Sequence, residues 1–422
     1  MDKETQLVKF EKMVYGGDCL GRLPDGRAVF VPFVLPGETA EIEIIESKER
    51  FARGRVVNLL EESPDRITAP CPYFTVCGGC HYQHLDYAQQ LSLKKELVKD
   101  QLLRIGKLKD LPEITITASP LTFGYRNQVQ FHPTNLESGE GFPSLGFKKA
   151  NSDEVLPIQK CLLVPDELNQ LLAQIELEPD SDLSRIAMRI DSDGELMLVL
   201  AGNSEEPPDL SIELPVSSAY VSPDGQGLNL SGNDALVYTV LDKEFLVSPE
   251  SFFQVNLPVA EEMLRHVLSL IENQHDLNIL ELYSGVGLFS RFLAPHASQL
   301  NTIESSPSAC FDFVTNLDEF DNVSLYEGVV EYLLPALIEQ IKPIELVVLD
   351  PPRAGLNAKA RQALIDLNPQ QIIYISCDPS TLARDLKHFS GAGYSLQNLH
   401  AFDMFPQTAH VETVVLMSRV DK

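Results

Sequence analysis

Cys377 is the residue of this chain best placed to act as a nucleophile. It follows the apolar, β-branched run Gln371–Ser376, which predicts a buried strand that Asp378-Pro379 ends. A thiol at the carboxyl end of a strand lies where open α/β sheets bind ligands. A helix is predicted from Ser380 to Phe389, with Ser380 or Thr381 as N-cap, and its N-terminus should favour the thiolate. Taken alone, the segment favours a small buried core cysteine, and the rest of the chain reverses that preference.

A glycine turn and two carboxylates stand at other predicted strand ends. Gly285 and Gly287 form a turn after the strand Leu277–Tyr283, Glu304 ends the next strand, and Asp350 opens an acid-Pro-Pro turn. Glycines let a nucleoside approach the backbone, and an acid on the next strand can bind ribose hydroxyls. A lone G-x-G is weak evidence. A class I methyltransferase-like domain is favoured over a dehydrogenase, in which a third glycine would replace Ser290.

Four cysteines form a second candidate centre. Cys71, Cys77 and Cys80 have the spacing C-x5-C-x2-C beside two glycines, and Cys161 follows after 80 further residues. Closing that loop costs roughly 4 kcal/mol, and a thiolate metal site returns roughly 10 kcal/mol. Zinc and an iron–sulfur cluster both accept four thiolates, and the spacing does not separate them. The alternative is four unconnected cysteines.

The elements that must position these residues change character along the chain. From Gln6 to about Leu60, short apolar segments alternate with turn signals such as Leu35-Pro-Gly-Glu38, which predicts a small all-β barrel of about five strands. After Ser248, helices alternate with buried strands, and the last strand carries His410-Val-Glu412. The strand ends at Gly285, Glu304, Asp350 and Cys377 should converge on one cleft.

Between the barrel and the cleft residues, the sequence predicts a basic helix and a strand. Tyr87–Lys109 reads as an amphipathic helix with leucines on one face and basic residues on the other. The alternating run Phe123–Phe131 predicts a strand whose Tyr125, Arg126 and Gln128 could meet a base or phosphate, or could be ordinary surface. The candidate RNA-binding residues are Lys94, Lys95, Lys99 and Arg126.

Charge is distributed unevenly along the 422 residues. The formal net charge is −28, yet residues 1–150 sum to −1 and residues 151–422 to −27. A nucleic-acid surface should therefore draw on the first third of the chain. Seven cysteines, an odd number, indicate a reducing cytoplasm rather than a disulfide framework. No apolar run approaches membrane-spanning length, and the first residues do not resemble a signal peptide.

With these motifs in place, the chain resembles the family of RNA (uracil-5-)-methyltransferases, and within it the bacterial branch that acts on 23S ribosomal RNA. The resemblance runs nearly end to end, and the barrel resembles a TRAM domain. The motifs that match the S-adenosylmethionine site are Ser251-Phe-Phe-Gln254, Leu282-Tyr-Ser-Gly285, Glu304 and Asp350-Pro-Pro-Arg353. The nucleophile and base motifs are matched by Ile375-Ser-Cys-Asp-Pro379 and His410-Val-Glu412.

The resemblance implies roles for individual residues. Cys377 would be the nucleophile, Glu412 the base, and the four cysteines the ligands of a [4Fe–4S] cluster rather than of zinc. The implied S-adenosylmethionine-binding residues are Gln254, Tyr283, Gly285, Gly287, Glu304 and Asp350. Leu288 and Val329 depart from the family pattern, since a polar residue and an acid or amide are common at those positions.

The expected fold is α/β plus all-β. It comprises a TRAM/OB-like barrel at 1–62, a central cysteine-containing, β-rich region at 63–250, and a class I (Rossmann-like) methyltransferase domain at 251–422. The helix at about 87–109 is expected to pack on the methyltransferase domain. The resemblance further implies a cytoplasmic monomer that acts on 23S ribosomal RNA.

The implied chemistry explains the residue types. Addition of the Cys377 thiolate to C6 of uracil makes C5 nucleophilic toward the methyl sulfonium, and a base must then remove the C5 proton. The uridine must leave its stack to be reached. Three alternatives stay open: the same reaction on transfer RNA, the same reaction on a second ribosomal site, and an RNA-binding protein with a silent methyltransferase fold.

Overall fold

Three β-structures and one separate hairpin organise the chain. The computed structural model describes residues 5–134, 143–178, 182–207, 215–341 and 343–420. Within these residues the strands form a closed five-stranded barrel, a seven-stranded sheet, a two-stranded hairpin and an eight-stranded sheet. The predicted combination of an N-terminal barrel with a methyltransferase-like α/β sheet is confirmed.

The barrel occupies the start of the chain. Its strands pair in the order β1-β2-β3-β5-β4, and β4 returns to pair with β1. Along β3 every second side chain is buried, which is the alternation of a strand with one face on a core. The five strands are β1 (Thr5–Met13), β2 (Asp18–Arg22), β3 (Ala28–Pro32), β4 (Thr39–Ser47) and β5 (Phe51–Glu61).

A buried carboxylate fixes the barrel to the segment that follows it. Glu38 has no exposed surface; it accepts a hydrogen bond from Leu35 N at 2.7 Å and pairs with the Arg66 guanidinium at 2.5 Å. Charge-assisted bonds of this kind are stronger than neutral ones. The turn Leu35-Pro-Gly-Glu38 therefore holds the chain just before it enters the cysteine-rich segment.

The helix α1 (Tyr87–Arg104) buries polar side chains, which corrects one prediction. Lys94, predicted to contact RNA, has no exposed surface: its Nζ donates to Asp403 Oδ1 at 2.5 Å and to Phe405 O at 3.0 Å. The prediction for Lys94 is wrong because the segment 403–410 covers that face of α1. The helix also ends before Lys109, because Lys107 adopts a left-handed conformation with φ 56°.

The central sheet follows a short strand, β6 (Thr115–Thr117). Its strands lie in the order β13-β12-β11-β10-β7-β8-β9, with one short helix, α2 (Asp166–Leu172), against β10. These strands are β7 (Gln128–Pro133), β8 (Leu145–Lys148), β9 (Val155–Pro157), β10 (Leu183–Ile190), β11 (Leu196–Gly202), β12 (Ser217–Val221) and β13 (Gly227–Ser231).

The predicted strand Phe123–Phe131 is wrong in its first half. Gly124 turns with φ 64°, and the backbone N–H groups of Arg126 and Asn127 donate to Leu163 O and Val255 O instead of to a neighbouring strand. Tyr125 is buried, and its hydroxyl donates to Pro406 O at 3.1 Å, so it does not face a base. Arg126 therefore lies in a connection rather than on a regular strand.

The last part of the chain builds the eight-stranded sheet, in the order β18-β17-β16-β19-β20-β22-β21-β6. The first five strands of that order are parallel, and β22 is antiparallel to β20. The strands are β16 (Leu277–Leu282), β17 (Ala297–Glu304), β18 (Val323–Glu327), β19 (Leu346–Leu349), β20 (Gln371–Ser376), β21 (Tyr394–Phe402) and β22 (Glu412–Arg419). The carboxyl ends of the five parallel strands and the start of β22 consequently share one edge.

Helices cover both faces of this sheet. The hairpin of β14 (Leu236–Val240) and β15 (Lys243–Val247) shares one core with α3, while Val98 and Leu102 of α1 share the other core with α8, as expected for that helix. The helices are α3 (Leu257–Ser269), α4 (Ser290–Leu293), a 3₁₀ turn (Ala294–His296), α5 (Pro307–Asn316), α6 (Val330–Leu337), α7 (Ala358–Leu367) and α8 (Pro379–Gly391). Among the described residues, none of the helices has the length and apolar character to cross a membrane.

The buried ion pair of α1 predicts unequal effects of two lysines on one helix. Lys94→Met should lower the free energy of unfolding by about 3–5 kcal/mol, because it leaves the Asp403 carboxylate buried without its cation. The matched control Lys99→Met, on the exposed face, should stay within about 0.5 kcal/mol of the unsubstituted protein. Urea unfolding followed by circular dichroism measures both. Equal midpoints for the two variants would contradict the assigned role of Lys94.

Candidate active site

Cys377 directly follows β20, and Asp378 caps the helix behind it. The Asp378 Oδ1 atom accepts hydrogen bonds from Ser380 N at 2.8 Å and Thr381 N at 3.0 Å. The predicted N-cap, Ser380 or Thr381, is therefore wrong: Asp378 has the extended conformation that a cap requires, and Pro379 begins the helix. Although burial opposes it, hydrogen bonds from Ser380, Thr381 and Tyr15 hold the pKa of Asp378 below its usual value.

Two carboxylates lie beside the thiol at the same sheet edge. Glu412 begins β22, in which Thr413 pairs with Ser376, and Asp350 follows β19, in which Leu349 pairs with Tyr374. Burial and the Asp350 charge, opposed by the Arg353 charge, raise the pKa of Glu412 to about 8. Burial also raises the pKa of Asp350 to about 7. Carboxyls poised near neutrality are suited to proton transfer.

The thiol itself is held protonated in the free protein. Burial raises the pKa of Cys377 to about 12, with further contributions from the charges of Glu412 and Asp350, while Arg353 acts in the opposite sense. Burial and the two acids thus oppose the thiolate that the N-terminus of α8 is expected to favour. The thiol needs a change of electrostatic environment or a proton acceptor before it can attack.

The glycine turn is hydrogen-bonded to Glu304, the acid predicted to bind the ribose. Gly285 N donates to Glu304 Oε2 at 2.9 Å, and Ser306 N donates to Glu304 Oε1 at 2.8 Å. Gly285 and Gly287 have φ values of 55° and 92°, a conformation that glycine adopts readily. The two strand ends therefore meet, as the sequence predicts.

The remaining predicted cofactor residues lie at different places around this edge. The Gln254 main-chain carbonyl accepts from Asn127 Nδ2 at 3.0 Å, and the Gln254 side chain is largely buried. Tyr283, with φ 63°, lines a cavity of about 450 Å³ together with Glu331 and Pro352. The two residues that depart from the family pattern differ in their exposure to solvent: Leu288 packs in the core, and Val329 is 40% exposed.

Sequence reasoning missed two polar contacts of this edge. The hydroxyl of Ser290, which stands in place of a third glycine, donates to the buried Glu281 carboxylate at 2.5 Å. Arg353 lies beside His410, with 3.3 Å between Arg353 Nη2 and His410 Nε2. Burial and the Arg353 charge lower the pKa of His410 to about 3, so its imidazole is neutral and can accept this bond. The acid in the strand and the serine nine residues later were the available signals for the first contact.

The four predicted cysteine ligands line one cavity of about 640 Å³. Burial raises the pKa of Cys80 to about 12, with smaller contributions from the charges of Cys161, Cys77 and Cys71 and an opposing hydrogen bond with Gln83, as expected of neighbouring thiols. Among the described side chains, no group of three or more His, Cys, Asp or Glu is placed to hold a metal ion. The fold thus assembles the four thiols in one cavity without arranging them around a single centre.

The basic candidates divide between two surfaces. Lys95 and Lys99 lie on the open side of α1, away from buried Lys94. Arg126 lines the cavity of the four cysteines, and its guanidinium carbon lies 6.0 Å from the centroid of the Phe405 ring. Gln128 lines the same cavity.

Comparison with known proteins agrees with this geometry. The profile of the tRNA (uracil-5-)-methyltransferases matches residues 235–420, and the profile of the TRAM domain matches residues 1–57. An uncharacterized RNA methyltransferase of Aquifex aeolicus is 34% identical over 436 residues, which cover 100% of both chains. One of Thermotoga maritima is 32% identical and covers 99% of this chain and 100% of its own. The chain belongs to the RNA (uracil-5-)-methyltransferase family.

A solved structure extends the similarity to the whole fold of this methyltransferase. The tRNA (uracil-54, C5)-methyltransferase of Pyrococcus abyssi, in complex with S-adenosyl-L-homocysteine, superposes with a TM-score of 0.72 at 24% identity. The match covers 98% of this chain and 100% of that one. The prediction of an S-adenosylmethionine-dependent RNA methyltransferase is confirmed.

The glycine turn provides a test of the cofactor side of the methyltransferase. A Cβ at position 287 would lie 2.2 Å from Leu317 Cδ1, and the φ of 92° disfavours any side chain. Gly287→Ala should therefore displace the turn and weaken S-adenosylmethionine binding about tenfold or more. The matched control Gly391→Ala, which meets nothing within 4 Å and has no positive φ, should leave the affinity unchanged. Calorimetric titration compares the two, and equal affinities would remove the turn from the cofactor site.

Proposed function

We propose that this methyltransferase transfers a methyl group from S-adenosylmethionine to C5 of a uridine in 23S ribosomal RNA. The observation that carries the proposal is the meeting of Cys377, Glu412 and Asp350 at one sheet edge, where each pKa is raised by its surroundings. A nucleophile, a base and a second acid in one cleft are what the reaction at C5 requires. A silent methyltransferase fold would have no need of this arrangement.

In the first step, the thiol of Cys377 gives up its proton to water, and the resulting thiolate adds to C6 of the flipped uracil. The C5–C6 double bond becomes an enolate, whose C5 takes the methyl group as the sulfonium becomes a neutral thioether. Because the thiol pKa is about 12 in the free protein, positive charge near Asp350 would assist its ionisation. The sulfonium of the methyl donor supplies such a charge.

In the second step, Glu412 removes the proton from C5, and the thiolate of Cys377 leaves C6. The base must be ionised to accept this proton. Since the pKa of Glu412 is about 8, elimination should slow as the pH falls through 8. Asp350, with a pKa of about 7, ionises first and keeps the Glu412 value high.

Transfer RNA is the second candidate substrate. The barrel by itself does not favour ribosomal over transfer RNA, because the match to the Pyrococcus abyssi enzyme, named for a transfer RNA uracil, covers 98% of this chain. The four cysteines remain the reason to favour 23S ribosomal RNA. Lys95, Lys99 and Arg126 are the proposed contacts to the RNA backbone, since phosphate contacts supply most non-specific affinity.

Mapping 5-methyluridine in ribosomal and transfer RNA, with and without the gene, tests the target. We expect one 23S uridine or more to lose the modification and to regain it with the intact gene, but not with a Cys377→Ala copy. Loss confined to transfer RNA would replace the proposed substrate, and no loss in either RNA would remove the proposed function.

We also propose that Cys71, Cys77, Cys80 and Cys161 hold a [4Fe–4S] cluster. The four thiols share one cavity, and in such a cluster each thiolate binds a different iron atom, so the thiols need not converge on one ion. Nothing in the methyl transfer requires an electron, and the cluster would join the segment 71–80 to Cys161, which follows the β9 strand of the central sheet. The proposed role is structural.

The two catalytic assignments predict different products for two variants. Cys377→Ala should neither bind RNA covalently nor transfer methyl groups. Glu412→Gln should still permit attack and methyl transfer, but the methylated uridine should stay bonded to Cys377 because its C5 proton remains. A denaturing gel with radiolabelled RNA should show a slow band for the Gln variant alone. Normal turnover by Glu412→Gln without an adduct would show that another residue is the base.

The cluster assignment predicts iron in protein purified without air. One four-iron cluster per chain, with a brown colour, is expected in the unsubstituted protein, and Cys161→Ser should lose it. Cys310→Ser is the matched control, because Cys310 lies on α5 of the methyltransferase sheet and should not affect iron content. Stoichiometric zinc without iron after anaerobic purification would contradict the cluster.

A further inference from the structure

The barrel reaches the nucleophile through one side chain. Tyr15 lies in the turn between β1 and β2, and its hydroxyl donates a hydrogen bond to Asp378 Oδ2 at 3.1 Å. Asp378 is the residue after Cys377 and the N-cap of α8. This bond thus joins the N-terminal barrel to the centre of the reaction.

The turn that carries Tyr15 is held in place from both sides. Val14 N donates to Asp18 O at 2.9 Å, and Gly17 N donates to Val14 O at 3.3 Å. A Cβ at Gly17 would lie 2.8 Å from His81 Cδ2, so only glycine permits this close approach. The barrel core also includes the buried side chains of Tyr82 and Ala409, from outside the barrel. The phenol is therefore placed by packing rather than by a free loop.

The electrostatic surroundings keep the phenol a donor. Burial raises the pKa of Tyr15, and the Asp378 and Cys377 charges raise it further, while Arg353 lowers it. The charged groups that act on Cys377 are Glu412, Asp350, Arg353 and Asp378. Of the three acids, Asp378 is the one to which Tyr15 donates. A hydrogen bond to its carboxylate draws negative charge away from the neighbouring sulfur.

We propose that Tyr15 is a positioning residue for the nucleophile: its phenol holds the Asp378 carboxylate, and through it the start of α8 and the adjoining Cys377 thiol. The expected effect of Tyr15 on methyl transfer rests on the proposed function. Its effect on the thiol does not depend on any RNA.

The test measures how fast Cys377 is alkylated by iodoacetamide between pH 7 and 9, with peptide mass spectrometry reporting that thiol alone. Tyr15→Phe keeps the ring and removes the donor, so Asp378 should repel the thiolate more strongly. We expect alkylation to slow about tenfold at every pH, corresponding to about one unit in the thiol pKa. Tyr394→Phe is the matched control. Tyr394 begins β21, and its hydroxyl donates a hydrogen bond to Pro369 O at 2.7 Å. Removing that hydroxyl should not change the rate of Cys377 alkylation.

A double-variant cycle shows whether Tyr15 acts through Asp378. In an Asp378→Asn background the effect of Tyr15→Phe should vanish, because the charge that the phenol offsets is gone. An unchanged or faster rate for Tyr15→Phe, or equal slowing in both backgrounds, would overturn the proposal. Gly16→Ala provides a second variant, since φ is 104° and its Cβ would lie in open space. It should displace Tyr15 and slow alkylation in the same way.

Methyl-transfer kinetics separate this proposal from the proposed function. Tyr15→Phe should lower kcat with little change in the KM for RNA. A raised KM with unchanged kcat would overturn the proposal by making Tyr15 an RNA contact. If the unsubstituted protein methylates no RNA, the proposed function fails, and the alkylation rates still decide the role of Tyr15.

Discussion

The structure depends on how the segment 403–410 is held, because this segment connects β21 to β22 and leads into Glu412. The buried Lys94–Asp403 ion pair fixes its beginning, and Gln90 of α1 fixes its middle by donating to Gln407 Oε1 at 3.0 Å. Ala409 near its end lies in the barrel core. The barrel, the basic helix and the catalytic sheet therefore meet on one connection, and the position of the base follows from all three.

Polar contacts at this junction specify position more sharply than apolar packing would. The Gln90 amide nitrogen, with its two N–H groups, lies within hydrogen-bond distance of Tyr82 O, Leu85 O and Gln407 Oε1, and Gln90 Oε1 accepts from Gln407 N, so a shift of Gln407 breaks buried hydrogen bonds. A buried ion pair adds little net stability compared with an apolar pair, yet removing either partner is costly. We infer that these polar contacts fix the position of the 403–410 segment along α1.

The sequence predicted the elements with strong local patterns and missed what distant residues decide. The strand Gln371–Ser376, the five-stranded barrel and the shared edge of Gly285 and Glu304 agree with the structure because apolar periodicity and turn chemistry are local. The burial of Lys94 was not predictable, since its partner lies 309 residues away and the helical pattern put it on the polar face. The raised pKa of Cys377 likewise depends on burial in the folded protein and on Glu412 and Asp350, which adjoin other strands.

The electrostatics of the cleft also suit the uneven distribution of charge between residues 1–150 and residues 151–422. Asp350 and Glu412 can each lose a proton in the cleft, and a carboxylate there suits a sulfonium cation. An RNA strand that approached over the part of the protein formed by residues 151–422 would meet a net charge of −27, whereas the first 150 residues sum to only −1. The barrel, α1 and Arg126 provide the approach with the least repulsion. Tyr15 belongs to the barrel, and its hydroxyl donates a hydrogen bond to Asp378, next to the nucleophile Cys377. The barrel would therefore both face the approaching RNA and help to position the nucleophile.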